Sequence, residues 1–147
     1  ASVRNVPGRL RRVPAGSRIT LYDDSYNANP DSVRAAIAFL GSQAGERWLV
    51  LGDMAELGPD SLQMHREMGE CARQAGISRL FCAGAHSMAT AEAFGANARW
   101  FADVPALAAA LAAGVQPDTT VLVKGSRSMG MERVVQALAA AAGPAGE

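Results

Sequence analysis

Short apolar segments alternate with amphipathic helical patterns along the chain, and this alternation limits the possible folds more than any other feature. The apolar segments are typical of parallel strands that helices cover on both faces. They are Arg18–Tyr22, Trp48–Leu51, Leu80–Ala83, Arg99–Phe101 and Thr120–Val123. Strand-helix-strand repetition at this spacing predicts a mostly parallel sheet between two layers of helices, which is a three-layer α/β sandwich.

The segment that precedes the first predicted helix indicates one more strand. Residues 8–22, GRLRRVPAGSRITLY, contain two short extended stretches around an Ala-Gly-Ser turn. This pattern predicts a hairpin that adds an antiparallel strand to the sheet. The sequence of 147 residues has no internal repeat and no linker, so we expect residues 1–147 to form a single domain.

Charge and apolar content exclude several functions. The formal net charge is zero, so the chain has no long-range attraction for nucleic acid or for an anionic membrane. No apolar run approaches the roughly 18 residues that span a bilayer, and no signal-peptide pattern begins the sequence. Cys71 and Cys82 lie in apolar surroundings, which predicts buried, reduced thiols in a cytoplasmic protein.

Polar side chains are concentrated where the predicted strands end, at the edge of the sheet where α/β proteins bind ligands. In DDSYNANPDS, residues 23–32, Asn29 predicts a helix N-cap and Pro30 suits the first helical position. Capping does not explain Asp23 and Asp24, because adjacent carboxylates repel each other unless cations or hydrogen-bond donors receive them. We therefore expect at least one of the two to have a functional role.

The next two strand ends are less informative. LGDMAELGPDS, residues 51–61, places Asp53 and Glu56 after a strand, and His86 follows the next strand. Glu56 is equally consistent with a solvated loop residue, and His86 with a structural one. His65 borders the apolar face of its predicted helix, so we expect a partly buried structural histidine. Two distant histidines with no nearby cysteine predict no metal site.

The last strand end contains the only lysine. In VLVKGSRSMGMERVV, residues 121–135, Lys124 is the single lysine among 14 basic residues, which suggests a need for a compact ammonium group. Lys124 and the turn after it together offer backbone N–H groups, two hydroxyls and two cations, which suit a carboxylate or phosphate. Because the P-loop pattern G-x-x-x-x-G-K-[ST] is absent from the sequence, a small anionic ligand fits better than a nucleoside triphosphate.

These three stretches together resemble the C-terminal domain of the Mur ligase family over essentially the whole chain. The resemblance implies a Rossmann-like fold and a role in an ATP-dependent amide-bond ligase of peptidoglycan synthesis. NANP combined with LGDMAELG resembles the members that add D-alanyl-D-alanine to UDP-N-acetylmuramoyl-tripeptide. Family members also have a precursor-binding domain and a central P-loop ATPase domain, which this sequence lacks. We therefore expect the isolated domain to be an inactive monomer.

The resemblance also implies a reaction and roles for individual residues. ATP, held with Mg²⁺ mainly by the central domain, phosphorylates the tripeptide carboxylate, and the dipeptide amine attacks the acyl phosphate. Arg9 and Asp24 are expected to face ATP, with Asp24 accepting the ribose hydroxyls. The residues expected to contact the dipeptide are Tyr26, Asn27, Lys124, Ser126, Arg127 and Ser128. Asp53, Glu56 and His86 remain possible site residues, and no residue is assigned as the proton acceptor.

A signalling receiver domain is the alternative interpretation, because it shares the doubly wound fold. Asp23, Asp24, Asp53 and Lys124 mimic the acids and the lysine of such a domain. The order differs, however, since a receiver's phosphoacceptor follows the third parallel strand and Asp53 follows the second. A structural α/β domain without a ligand is a third interpretation, which the crowded polar edge disfavours.

Overall fold

The computed structural model describes residues 10–16 and 18–142, which form a six-stranded sheet flanked by five α-helices. The elements in chain order are β1 Arg11–Val13, β2 Ile19–Asp24, α1 Pro30–Gly41, β3 Glu46–Gly52, α2 Ser61–Gln74, β4 Arg79–Ala83, α3 Ser87–Phe94, β5 Ala98–Phe101, α4 Val104–Gly114, β6 Thr119–Lys124 and α5 Glu132–Ala141. Short 3₁₀ turns at Gly58–Asp60 and Arg127–Met129 precede α2 and α5.

The sheet is parallel except at one edge. Its strand order is β1-β2-β6-β3-β4-β5, and only the β1–β2 pair is antiparallel among these described strands. In that pair Arg11 lies opposite Asp23, and Val13 lies opposite Leu21. The predicted mostly parallel sheet with an N-terminal antiparallel strand is confirmed.

The sheet separates two hydrophobic cores. Side chains of α1, α2 and α3 form one core with the sheet, and side chains of α4 and α5 form the other. In β3, Trp48 and Val50 face the α4–α5 layer, whereas Leu49 and Leu51 face the α1–α3 layer. Both sides of the strand are buried because successive side chains point to opposite faces. This arrangement confirms the three-layer α/β sandwich.

Two predictions need correction. The helical spacing of the apolar residues Met131, Val134, Val135 and Leu138 predicts a fifth helix that includes Met131. In the structure α5 begins at Glu132, because the 3₁₀ turn and a left-handed Gly130 precede it. Both cysteines are free thiols, yet only Cys82 is buried and Cys71 is partly exposed. Burial raises the pKa of the Cys82 thiol, which keeps it protonated and unreactive.

A crevice forms where β2 and β6 end. These neighbouring strands lead into α1 and α5, which lie on opposite faces of the sheet, so the two connections diverge. The connection to α1 is held by a capping box. Asn29 Oδ1 accepts the Ser32 N–H at 2.9 Å, and Ser32 Oγ accepts the Asn29 N–H at 3.0 Å. This box fixes the start of α1 beside the crevice.

Candidate functional site

A buried ion pair lies at the carboxyl ends of β2 and β6. The parallel ladder places Asp24 opposite Lys124, and Lys124 Nζ lies 3.1 Å from Asp24 Oδ2. Only 4% of the Lys124 side chain and 14% of the Asp24 side chain are exposed. The other oxygen, Asp24 Oδ1, accepts the exposed Leu10 N–H at 2.9 Å. Asp24 therefore connects Lys124 of β6 with Leu10, the first described residue of the chain.

Asp23 has a different environment because its side chain leaves the opposite face of β2. It is buried, and Asp23 Oδ1 accepts hydrogen bonds from the Ser25 N–H at 3.0 Å and the Ser25 hydroxyl at 2.6 Å. Asp23 Oδ2 lies 3.4 Å from Arg11 Nη2 across the hairpin. The charge of Asp23 is thus largely compensated within the domain. The two adjacent carboxylates avoid repulsion by pairing with different cations.

Tyr26 and Arg127 meet above the crevice. The Arg127 guanidinium carbon lies 4.9 Å from the centroid of the Tyr26 ring, and Arg127 Nη1 donates to the Tyr26 hydroxyl at 3.3 Å. This cation–π contact holds a long, exposed side chain in one orientation. It also connects the segment after β2 with the turn after β6.

Two open cavities flank Tyr26. One of about 420 Å³ is bordered by Leu10, Asp24, Tyr26, Asn27, Ser32 and Lys124. The other, of about 460 Å³, extends towards α5 and is bordered by Arg11, Asp23, Ser25, Tyr26, Arg127, Glu132, Val135 and Gln136. Both volumes lie in the range of small-molecule sites.

The turn after Lys124 is held close to the sheet by packing. A Cβ on Gly125 would overlap the Met131 side chain, so glycine permits Met131 to pack directly beneath the turn. Ser126 is buried, and its hydroxyl lies 3.2 Å from that of the exposed Ser128. The turn therefore presents Arg127 and Ser128 outward from a rigid base.

A second polar cluster lies where β3 and β4 end, and it is internally satisfied. The Asp53 carboxylate accepts the His86 N–H at 3.1 Å, the Ser87 N–H at 2.8 Å and the Ser87 hydroxyl at 2.7 Å. Gly84 has a φ of +111°, and a Cβ there would lie 2.5 Å from this carboxylate. Asp53 therefore caps the first turn of α3 from a neighbouring strand.

His65 is more deeply buried than the sequence predicts, with 1% of its surface exposed. Its Nε2 accepts the Met54 N–H at 2.9 Å, and its Nδ1 lies 2.8 Å from the Ser61 carbonyl oxygen. The ring is thus neutral, with the proton on Nδ1. Burial lowers the pKa of His65 below the ordinary 6.5, although the Ser61 carbonyl and the Asp53 charge act in the opposite direction.

Glu56 and His86, the other two candidates at this edge, lie away from the crevice between β2 and β6. Glu56 is exposed and adopts a left-handed backbone with φ of +58°. His86 is exposed, and its Nδ1 lies 2.5 Å from Ser61 Oγ. Within residues 10–16 and 18–142 no group of three or more His, Cys, Asp or Glu side chains is arranged to hold a metal ion. In the same residues no helix is long and apolar enough to cross a membrane.

Comparison with known proteins decides the family. Residues 8–127 match the family described as Mur ligase, glutamate ligase domain. The chain belongs to the Mur ligase family. This Mur ligase domain is 46% identical over 142 residues to the UDP-N-acetylmuramoyl-tripeptide–D-alanyl-D-alanine ligase of Escherichia coli, covering 94% of this chain and 31% of that protein. It is 36% identical to the Mycobacterium tuberculosis enzyme of the same name, covering 90% of this chain and 31% of that one.

Solved structures agree with the sequence relatives. The Mur ligase domain matches the MurF ligase of Thermotoga maritima in complex with ADP, with a TM-score of 0.82, 27% identity and 97% of this chain covered against 33% of that one. It matches MurF of Acinetobacter baumannii with a TM-score of 0.81 and 29% identity, covering 93% of this chain and 31% of that one. These matches confirm the predicted family and fold. The chain spans about a third of the length of the relatives it matches.

The structure of the Mur ligase domain brings part of the predicted site together. Around the two cavities lie Asp24, Tyr26, Asn27, Lys124 and Arg127. Ser126 and Ser128 belong to the adjoining turn, whereas Asp53 and His86 belong to the separate cluster at the ends of β3 and β4. Arg9 lies outside the described residues. A receiver-like acidic pocket does not form, because the α3 amides occupy Asp53 and Ser25 occupies Asp23.

Sequence reasoning missed the polar side chains that β1 and α5 of the Mur ligase domain contribute to the cavity near α5. Arg11 reaches it from β1, where its Nε is buried without a hydrogen-bond partner among the described residues. Glu132 and Gln136 reach it from the exposed side of α5. Their i, i+4 spacing indicated one face of a helix, but only the packing of α5 beside β2 shows that this face borders a cavity.

Proposed function

We propose that this chain is the C-terminal domain of an ATP-dependent ligase that adds D-alanyl-D-alanine to UDP-N-acetylmuramoyl-tripeptide in peptidoglycan synthesis. The relatives that match almost the whole chain have that name. In this proposal the domain binds the dipeptide and completes an ATP site, while a precursor-binding domain and a P-loop domain supply the rest. The domain alone is then inactive.

The observation that supports this role is the meeting of Asp24, Lys124, Tyr26 and Arg127 at one open edge of the sheet. Residues from the ends of β2 and β6 border two open cavities, which β1, α1 and α5 also line. Such a half-open site suits ligands that a second domain covers. Domain closure would then orient the reacting groups and exclude water.

We assign the nucleotide contact to Asp24 and to Arg9, which precedes Leu10 in the chain. Among the residues that the structure describes, Asp24 Oδ1 accepts a hydrogen bond only from the exposed Leu10 N–H, which ribose hydroxyls could replace at little cost. The described residues contain no three-residue cluster for a metal ion. We therefore place the ATP phosphates and Mg²⁺ mainly on the P-loop domain. ATP would supply the phosphoryl group that activates the tripeptide carboxylate.

We assign the dipeptide to the surface formed by the segment after β2 and the turn after β6. The proposed contacts are Tyr26, Asn27, Lys124, Ser126, Arg127 and Ser128. Arg127 has the clearest role, because Tyr26 holds its guanidinium in place at the cavity border. A fixed guanidinium can bind a carboxylate through two parallel hydrogen bonds. The turn's N–H groups would add further donors.

A chimaera tests the proposal directly. This chain would replace the matching third of the E. coli relative, and product formation would be measured with ATP, UDP-N-acetylmuramoyl-tripeptide and D-alanyl-D-alanine. We expect a product that requires all three substrates, and no product from the 147-residue chain by itself. A well-folded chimaera that forms product with another amine, but not with D-alanyl-D-alanine, would reject the proposed substrate.

Arg127→Ala in the chimaera separates the two ligand roles. We expect KM for the dipeptide to rise by at least about tenfold, because a charge-assisted contact contributes about 1.5–3 kcal/mol. KM for ATP should change little. Arg133→Ala is the matched control, since Arg133 is an exposed arginine on α5 that does not border either cavity. Equal dipeptide KM values for the two variants would remove Arg127 from the site.

A further inference from the structure

The cavity between Tyr26 and α5 contains four charged side chains, of which two compensate each other. Arg11 Nη2 and Asp23 Oδ2 lie 3.4 Å apart, and Asp23 is buried whereas Arg11 is partly exposed. Arg127 contacts Tyr26 but forms no ion pair with a described carboxylate, and Glu132 forms no ion pair with a described cation. The cavity therefore presents one unpaired positive and one unpaired negative charge.

These two charges border the same cavity of about 460 Å³ without bonding to each other. A ligand that fits them carries a carboxylate at one end and an ammonium at the other, with a short uncharged body between. A free dipeptide has this charge pattern. On the α5 side the cavity is lined by the polar amide of Gln136 and the apolar side chain of Val135. Such a mixed lining suits peptide groups and small apolar side chains.

We propose that this cavity binds D-alanyl-D-alanine as a zwitterion, with its carboxylate on Arg127 and its ammonium on Glu132. This inference rests on the proposed function. It adds Glu132 as a binding residue and removes Asn27 and Lys124 from the dipeptide contacts, because these two border the other cavity. It assigns the carboxylate to Arg127 rather than to Lys124, whose ammonium group is paired with Asp24 on the other side of Tyr26.

Exposure at the ammonium end agrees with the direction of the reaction. Glu132 is exposed at the border of the cavity, whereas Asp23 and Val135, which also line it, are buried. The amine held by Glu132 would therefore remain accessible from outside this domain. Accessibility is necessary, because the activated carboxylate that the amine attacks would be held by another domain.

Binding to the ¹⁵N-labelled 147-residue chain tests the inference without any ligation step. The probes are D-alanyl-D-alanine, N-acetyl-D-alanyl-D-alanine, which has no ammonium, and D-alanyl-D-alaninamide, which has no carboxylate. We expect amide shifts in residues 127–136 with the first probe, and about tenfold weaker binding of each capped probe, because each loses one charge-assisted contact. Absence of shifts in these residues at the highest soluble dipeptide concentration overturns the inference.

Glu132→Gln distinguishes binding from a structural effect. Glu132 lies in the first turn of α5, where a carboxylate also stabilises the helix, so the variant should unfold slightly more easily. We expect it to bind D-alanyl-D-alanine about tenfold more weakly and to bind the N-acetylated probe as the wild type does. Arg133→Gln, one residue along the same turn, should leave all three affinities unchanged. Wild-type affinity of Glu132→Gln for D-alanyl-D-alanine overturns the inference.

The binding and ligation experiments can fail independently. A chimaera that makes the expected product while Glu132→Gln binds the dipeptide normally keeps the proposed function and removes the zwitterion site. Selective binding of the uncapped dipeptide by this chain, with no ligation by a folded chimaera, keeps the site and removes the proposed function.

Discussion

The two polar clusters at the carboxyl edge of the sheet differ in how far their side chains satisfy one another's hydrogen bonds and charges. At the ends of β3 and β4, the Asp53 carboxylate accepts three hydrogen bonds from the start of α3, and both ring nitrogens of His65 have partners. At the ends of β2 and β6, Asp24, Lys124 and Arg127 border open cavities. The first cluster holds helices in place, and the second leaves donors and acceptors at a surface.

The contrast shows that an acidic residue after a parallel strand is not by itself a sign of function. Asp24 ends β2 and pairs with Lys124, and Asp53 directly follows β3 and accepts hydrogen bonds from the start of α3. The two sites differ in the direction that the chain takes after each pair of neighbouring strands. β3 and β4 both lead to helices of the same layer, so their loops close over Asp53, whereas β2 and β6 lead to opposite layers and leave a gap.

Lys124→Ala should produce the largest loss of stability at either cluster. The substitution leaves Asp24 largely buried without its cation, and breaking such a pair costs about 3–5 kcal/mol. Urea unfolding of the 147-residue chain measures the change. Asp24→Asn combined with Lys124→Met should cost less than Lys124→Ala alone, because no uncompensated charge remains. A loss below about 1 kcal/mol for Lys124→Ala would mean that water already screens the pair.

Asp53→Ala should destabilise the domain by about 1–3 kcal/mol, because it leaves two N–H groups at the start of α3 without their acceptor. Dipeptide and ATP KM values of the chimaera, measured below the melting temperature, should remain within about twofold of wild type. A selective rise in either KM would show that the β3–β4 cluster also contacts a ligand, and the distinction between the clusters would fail.

His65 should make the β3–β4 cluster sensitive to acid. Its folded-state pKa lies below the ordinary 6.5, so the unfolded chain takes up a proton first as pH falls. Stability is therefore complete above about pH 6.5 and decreases from there down to the lowered pKa of the folded state. Urea unfolding midpoints measured between about pH 8 and about pH 5, the range in which histidine titrates, give this slope. His65→Gln should flatten it, and an unchanged slope would assign the effect to another group.

Glu56→Asn should have the smallest effect. Glu56 has a left-handed backbone, which asparagine adopts more readily, so the variant should be more stable by at most about 1 kcal/mol. Because Glu56 borders neither cavity beside Tyr26, ligation by the chimaera should not change. Thermal unfolding and product formation measure the two quantities, and a loss of ligation would extend the site to the loop after β3.

Much of the fold was predictable because it depends on local patterns. Apolar runs identified the parallel strands of the described sheet to within a few residues, and Asn29 and Pro30 predicted the start of α1. The start of α5 was misplaced because Met131 is buried beneath the preceding turn, so it matches the apolar pattern without belonging to the helix.

The candidate site was predictable only in part, because its residues are far apart along the chain. Tyr26 and Arg127 are 101 residues apart, and Asp53 reaches Ser87 across 34 residues. The sequence indicated that these side chains lie at one edge of the sheet. It did not indicate that Arg11 and Asp23 compensate each other, or that Glu132 borders the cavity near α5.

The sequence by itself determined the kind of elements, their order and the collection of polar residues at the strand ends, because periodicity and capping act between near neighbours. Only the tertiary structure decided which of those polar residues became internal hydrogen-bond partners and which remained at an open surface. That choice depends on strand order and on the face to which each connection turns. Both are set by the packing of distant segments around the two cores.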